Sequence, residues 1–451
     1  MAQAPQIRPA AVAGAFYPRN PQQLAEELGE LFDGVGNLEP RLGYPKALIV
    51  PHAGYIYSGP VAARAYDELA AARGVVRRVV LLGPSHYVPG RGLALPQADA
   101  FDTPLGRIAL DGEGVGALAG LQQVVRSAPA HAQEHSLEVQ LPFLQRMLGS
   151  FTLVPLAVSA ATQREVEEVL ERVWGGPETL IVISTDLSHY HEYREAKRID
   201  GATLRKIADF ATDLNHEEAC GATPLNGFLG LAQRKGLRIR LLGACNSGDT
   251  AGGKGRVVGY SSFALYGEEA VSPEEAGRTL VAIARDAIES ALQGRARAPL
   301  GGEAWLRLRG ASFVTLTKAG RLRGCIGSLE IGRPLGEDVI HNALAAAFKD
   351  PRFPGLSLQE WPECGVEVSV LSPPKPIRFA DEADLLAQLK PGEDGIILEC
   401  EGRRATYLPQ VWESLPDKRR FLAELLTKAG LPADTRLGRC RLQRYRARKF
   451  A

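Results

Sequence analysis

The sequence predicts two consecutive domains of different class: an α/β domain with helices on both faces of its sheet, residues 1–268, and an α+β domain, residues 272–451. Three observations carry this expectation. Short apolar runs alternate with segments of helical periodicity up to about residue 266, as in a sheet built from strand and helix units. A charged, proline-containing link, GEEAVSPEE at residues 267–275, interrupts the alternation. Beyond it, strands come in pairs joined by tight turns and the helices stand apart, which is α+β patterning.

Residues 20–35 begin with Asn20 as an N-cap, place apolar residues at helical spacing and end on glycine, so they read as a helix. KALIVPH (46–52) is the first strand of the alternation and ends on Pro51 and His52. Gly59 and Pro60 introduce a helix over 61–74, and RRVVLLGPSH (77–86) is the next strand. A hairpin at 93–110 leads through 134–148 to a strand at 151–158 and a helix at 162–174. The strand TLIVISTD (179–186) precedes helices at 194–210 and 223–236, and strands at 238–244 and 257–266 complete the domain. In the second domain, helices are predicted at 274–292, 337–350 and 418–430, with strands in 312–329, 366–372 and 395–412. No internal repeat of solenoid period is present.

Fifty-three basic and 52 acidic residues leave a net charge of +1, so no global field favours nucleic acid or an anionic membrane. The start of the chain lacks a basic segment followed by an apolar core, and no apolar run is long enough to span a bilayer. A cytoplasmic location is therefore expected. Six cysteines without a C-x-x-C spacing are too sparse for a disulfide framework, so most are expected to be reduced and several to be core residues.

Chemistry-bearing residues stand where apolar runs end. His52 follows ALIVP, His86 follows VVLLGPS, Asp186 and His189 follow LIVIST, and Cys245 follows LLGA at the start of a polar, glycine-bearing loop. In α/β sheets ligands bind beyond the carboxyl ends of the strands, so these residues are expected to meet around a metal. Singly, each histidine reads as the cap of a turn; together they supply imidazoles, a carboxylate and a thiolate. Imidazole suits iron, copper and zinc, whereas a thiolate shifts preference toward softer ions. Asp186 and His189, three residues apart, form a pair that one turn can bring together, and histidine is the natural proton carrier near neutrality. His191 is a second candidate, with a solvated loop residue as its plainer reading.

Other motifs compete. HAQEH (131–135) fits H-x-x-E-H, in which two histidines on one helix face bind zinc and Glu134 activates water. Pro129 and Pro142 leave little room for that helix, and His135 with Glu134 is also placed to border the pocket. GDTAGGKG (248–255) approaches a phosphate loop, but Gly255 stands where a hydroxyl is needed and a strand follows, so it reads as a turn. The basic tail at 436–450 raises RNA contact, yet alternating Arg444, Arg446 and Arg448 fit one exposed strand face better.

RPAAVAGAFYP, VPHAGYIYSGPVAARAY, LLGPSHY, EHSLEVQLPFL, STDLSHY and GACNSGDTAGGKGRVVGYSSFALY occur in this order and resemble the Memo family over nearly all of residues 7–267. That resemblance implies a fold like the class III extradiol dioxygenases, non-haem iron enzymes that open aromatic rings. It implies His52, His86 and Cys245 as metal ligands and Asp186 and His189 as residues lining the same pocket. It points to Fe(II), with copper or zinc as alternatives, and to a small oxygenated organic substrate. A thiolate at Cys245 departs from the carboxylate that such dioxygenases use.

GRLRGCIGSLE, KDPRFPGL and ATYLPQVWE resemble the AMMECR family over about residues 273–449. Its central Arg323–Gly327 motif presents Cys325 beside an arginine able to lower a thiol's pKa, against the alternative of a buried structural cysteine. Proteins of the two families are associated in microbes with a radical S-adenosylmethionine protein, which the resemblance implies as a partner; this chain has no C-x-x-x-C-x-x-C cluster of its own. The expectation is a metal-dependent oxidoreductase of dioxygenase type. The alternative is a non-catalytic scaffold that binds metal or peptide.

Overall fold

The computed structural model describes residues 5–36, 39–40, 42–267 and 271–451. The chain forms two compact units, one of residues 1–35 and 44–270, the other of residues 36–43 and 271–451. Among the described residues no helix is long and apolar enough to cross a membrane.

The first unit is built on a nine-stranded sheet. Its centre is parallel: Ala47–Val50 pairs with Thr179–Ser184, which pairs with Arg78–Pro84, which pairs with Thr152–Val158. Strands buried on both faces read as continuous apolar runs, which is why these segments are the plainest in the sequence. Alternation sends Leu48, Val50, Leu81 and Val182 into one core, with Tyr55, Tyr66 and Phe143 from the helices Tyr55–Asp67 and Leu141–Leu148. Ala47, Ile49, Leu82 and Ile183 enter the opposite core with Val166, Val169 and Phe228, carried by Gln163–Val173 and Ala222–Arg234. Helices thus cover both faces, as α/β alternation requires.

Two elements depart from expectation. The helix expected to start after Pro60 begins at Tyr55, with Pro60 inside it, and ends at Asp67. Tertiary bonds support the extra turn: the Tyr55 amide donates to the Phe16 carbonyl, and its hydroxyl donates to the Val139 carbonyl at 2.8 Å. The apolar run expected at 238–244 extends as the strand Arg238–Asn246, so Cys245 lies within the strand, opposite Tyr260, and not in the following loop. Among the described residues this strand pairs only with Val257–Tyr266, and an edge position leaves several of its side chains exposed.

The N-terminal arm is pinned by one buried ion pair. The Glu138 carboxylate, fully buried, accepts from the Arg8 guanidinium, the Ala11 and Val12 amides and the Tyr17 hydroxyl. Arg8 also donates to the carbonyls of His131 and Glu134. Such saturation of lone pairs is what makes a buried carboxylate tolerable.

The second unit contains two four-stranded antiparallel sheets. One has the order Arg321–Gly327, Ser312–Lys318, Cys364–Leu371, Ala447–Phe450; the other has the order Lys375–Pro376, Arg441–Tyr445, Gly395–Cys400, Arg403–Tyr407. Helices Pro273–Gln293, Leu335–Phe348 and Lys418–Lys428 pack with them, so the unit is α+β. Cys220, Cys245, Cys325 and Cys364 are free, in line with the expectation that most cysteines are reduced. Cys400 and Cys440 form a disulfide, because antiparallel pairing brings together cysteines 40 residues apart in sequence. One expectation is corrected here. The tail arginines do not share an exposed face: Arg444 bonds Gln388 and Arg446 pairs with Glu393.

Removing the carboxylate in Glu138→Ala leaves Arg8 as a buried, unpaired charge. The substitution is expected to destabilise the first unit by about 3–5 kcal/mol, read from its urea transition, whereas an exposed ion pair contributes under about 1 kcal/mol.

Candidate metal centre

Register sets the site. Val50 stands beside Ser184, and Leu82 beside Ile183, so the three central strands end at nearly the same height. Two residues past Val50 the chain reaches His52, two past Ser184 it reaches Asp186, and two past Pro84 it reaches His86. The rings of His52 and His86 lie 5.2 Å apart, and a third imidazole, His135, lies 5.5 Å from His52 and stacks on His86 at 4.6 Å.

Ligand atoms of His52, His86 and Cys220 all lie within 4.8 Å of one another. Cys220 Sγ is 3.3 Å from His52 Nε2. It gets there because Cys220–Gly221 is pressed against the end of the Thr179–Ser184 strand: the Gly221 amide donates to Thr185 Oγ1 at 2.9 Å, and a Cβ on Gly221 would sit 2.7 Å from Thr185 Cβ. Only glycine permits that approach. Cys245 does not join this cluster among the described residues. It sits across the ladder from Tyr260, whose phenol feels the charges of both Asp186 and Cys245.

Hydrogen bonds fix the tautomers. Ser184 donates its hydroxyl hydrogen to the Ser136 carbonyl at 2.6 Å, and Gln140 donates to Ser184 Oγ at 2.9 Å. Ser184 therefore accepts from His52 Nδ1, 2.8 Å away, leaving His52 Nε2 as a lone pair directed toward Cys220. On the other side, Glu134 accepts from the His86 amide at 2.6 Å, from His86 Nδ1 at 2.9 Å and from the Ser136 amide at 2.9 Å. Burial works to raise the Glu134 pKa, but these bonds and the His86 charge more than offset it and hold the carboxyl at about 2. An ionised acceptor there keeps the proton on His86 Nδ1 and leaves Nε2 free. Histidines oriented through the second ring nitrogen are the usual arrangement for metal ligands.

The electrostatics favour neutral imidazoles. Burial, with the neighbouring histidines His86, His135 and His189, pushes the His52 pKa well below its ordinary value. His135 is lowered to about 4, mainly by burial. Burial, with the Asp186 charge, lifts the Cys220 thiol to about 12, and burial with Asp249 lifts Cys245 to about 11; a bound cation reverses that preference. Asp186, 4% exposed, is pushed up to about 7 by burial, against the amides of His52 and Ala53 and the charge of His86. Its Oδ1 accepts the His52 amide at 2.8 Å, and its Oδ2 is 4.0 Å from His52 Nε2. His189 donates Nδ1–H to the Leu187 carbonyl at 2.8 Å, so its Nε2 is a lone pair. The donor set thus fits one transition-metal ion: two imidazoles each held through Nδ1, and a thiol within reach.

His86, Glu134 and His135 also have ligand atoms within 4.8 Å of one another. Glu134 already accepts three N–H groups, so this group supports the first one. The peptidase alternative fails on backbone grounds. Ala128–Ala132 and His135–Glu138 are separate helices, Glu134 is the N-cap of the second, and His131 Nε2 is taken up by the Ala94 carbonyl at 2.7 Å.

Sequence reasoning overlooked Cys220, counted only among six cysteines; its signal was the Cys-Gly pair just before a helix. Ser184 and Gln140 carry no sequence signal of their own. In the second unit, Arg323 is committed to Glu360 at 2.7 Å, and the arginine touching Cys325 is Arg352, whose Nη2 donates to the Cys325 carbonyl at 3.1 Å. Thr315 Oγ1 donates to Cys325 Sγ at 3.3 Å.

Two family models match the chain: Memo-like protein over residues 8–264 and AMMECR1 over residues 281–450. A MEMO1 family protein from Ignicoccus hospitalis is 35% identical over 284 residues, 57% of this chain and 97% of the relative. One from Aeropyrum pernix is 37% identical over 279 residues, 56% of this chain and 98% of the relative. The crystal structure of an uncharacterized protein from Pyrococcus horikoshii aligns at 37% sequence identity, over 39% of this chain and 91% of that one, with a TM-score of 0.37 that is too low to add to the fold.

If Glu134 orients His86 for a metal, Glu134→Ala is expected to weaken divalent-metal binding by about 10–100-fold, measured by competition with a chromogenic chelator. Unchanged affinity would remove Glu134 from the centre.

Proposed function

Since the chain belongs to the Memo-like protein family, with an AMMECR1 domain following, we propose that its first unit is a metal-dependent oxidoreductase of extradiol-dioxygenase type, using Fe(II) and acting on a small oxygenated organic molecule. The single observation that carries this reading is the convergence of His52, His86 and Cys220 within 4.8 Å, with both imidazoles oriented through Nδ1. Two histidines and one anionic ligand leave coordination positions open, as a redox iron needs for substrate and dioxygen. When bound, the ion supplies Lewis acidity toward a substrate hydroxyl and one-electron exchange with dioxygen.

The protein's own groups do the rest. His86, its side chain 29% exposed, faces the open side of the centre, whereas His52 and Asp186 are closed off from water. Asp186, titrating near neutrality, holds or releases a proton at Oδ2 beside the ligand positions. His189 accepts a proton at Nε2 while its Nδ1 stays bonded to the Leu187 carbonyl. Together they relay the proton of a substrate hydroxyl away from the closed interior.

Geometry supports Cys220 as the thiolate ligand, its Sγ 3.3 Å from His52 Nε2, whereas the family pattern points to Cys245. Cys325 is assigned a separate role as a thiol of the second unit.

Anaerobic loading with Fe(II), metal analysis and oxygen uptake with catecholic probes test this reading. His52→Ala and His86→Ala are each expected to lower iron affinity by about 100-fold or more, and Cys220→Ser to do so more severely than Cys245→Ser. Wild-type protein that retains no more metal than the His52→Ala, His86→Ala double variant would end the metal reading. Metal retained without oxygen uptake would favour a binding protein. Cys325→Ser is expected to leave iron retention unchanged.

A further inference from the structure

Cys400 and Cys440 face each other because the sheet places them there. Gly395–Cys400 pairs antiparallel with Arg441–Tyr445, and the last step of the ladder sets Glu399 beside Arg441. One step further stands Cys400 opposite Cys440, with Cα atoms 4.5 Å apart. That is the separation, about 4.5 Å, which an antiparallel ladder imposes on a directly opposed, non-hydrogen-bonded pair. The ladder thus brings the two sulfurs together without the S–S bond.

The chain between the cysteines is also held without that bond. Arg403–Tyr407 pairs with Gly395–Cys400, and Phe421 of the helix Lys418–Lys428 stacks on Trp412 at 3.7 Å. Trp412 Nε1 donates to the Asp394 carbonyl at 2.7 Å. Breaking the disulfide would therefore release little chain in the folded state, and closing it again would need no search. A bond whose effect is chiefly to restrict the unfolded chain can be opened in the native fold without unfolding it.

The two sulfurs differ in access. Cys440 lines a cavity of about 580 Å³ together with Arg378, Phe379, Asp381, Arg436 and Gly438. Both cysteines belong to one buried apolar cluster with Leu398, Leu422 and Leu425; Cys440 is 9% exposed, and Cys400, which does not line the cavity, is 3% exposed. Of the two, Cys440 borders the cavity, so a small molecule there meets Cys440 before Cys400.

We infer that Cys400 and Cys440 form an exchangeable dithiol/disulfide site of the second unit, whose reaction partner is a low-molecular-weight thiol entering the cavity beside Cys440. The incoming thiolate attacks Cys440 Sγ; a new S–S bond forms, the Cys400–Cys440 bond breaks, and Cys400 leaves as a thiolate that takes a proton from water. A second thiol then attacks the mixed disulfide, releasing an oxidised dimer of the small thiol and leaving Cys440 reduced. Two thiols are oxidised and one protein disulfide is reduced, and the reverse sequence re-forms the bond. This site is independent of the metal centre.

The test equilibrates the full wild-type chain in buffers of reduced and oxidised glutathione, quenches with acid and a maleimide, and maps residues 400 and 440 by mass spectrometry. The pair is expected to convert reversibly, while circular dichroism stays native throughout. In Cys400→Ser the glutathione adduct on Cys440 is expected to form at least about tenfold faster than the adduct on Cys400 in Cys440→Ser, because attack depends on access to the sulfur. A disulfide that resists excess glutathione until urea unfolds the chain would overturn the inference, as would adducts that form equally fast on both residues. Should either serine variant fail to fold, the wild-type titration decides.

Discussion

The parallel register that sets Val50 beside Ser184 and Leu82 beside Ile183 fixes where three central strands release their chains. Both faces of those strands are packed, so a slip by one residue would turn Leu48 and Val50 out of one core and Ala47 and Ile49 out of the other. Burial on two sides therefore locks the register, and the register sets the height of His52, His86 and Asp186 above the sheet. The candidate centre is a consequence of core packing before it involves any polar contact.

What then orients the side chains is a pair of buried carboxylates four residues apart. Glu134 gathers the His86 ring and backbone, while Glu138 gathers Arg8, Tyr17 and two amides of the N-terminal arm. Each removes a charge from water, and each offsets that cost by accepting several N–H or O–H groups. The helix His135–Glu138 between them carries the third imidazole. The arm and the centre are thus coupled through one short segment, and a disturbance at Glu138 is transmitted to the backbone that holds Glu134.

Cysteine serves the two units by different routes. In the first, close approach at Gly221 brings Cys220 to His52, and burial keeps the thiol protonated. In the second, an antiparallel ladder opposes two thiols that lie far apart in sequence. The Cys-Gly pair marks a close approach, but sequence spacing names the partner in neither unit, since both arrangements depend on which strand lies beside which.

The sequence by itself determined the class of both units, the central strands of the first unit with their ends, and the residues delivered there: hydrophobic periodicity records which faces are buried and where a chain leaves the sheet. His52, His86 and Asp186 were legible for that reason. It did not determine the lateral order of strands, in which Thr179–Ser184 lies between Ala47–Val50 and Arg78–Pro84, because periodicity is blind to neighbours. Only the tertiary structure decided that Cys220 stands at His52, that Glu134 and Ser184 set the tautomers, that Cys245 lies in an edge strand, and that Cys400 meets Cys440. These are contacts between segments distant in sequence, selected by packing and by the need to satisfy buried polar groups, and no local pattern encodes them.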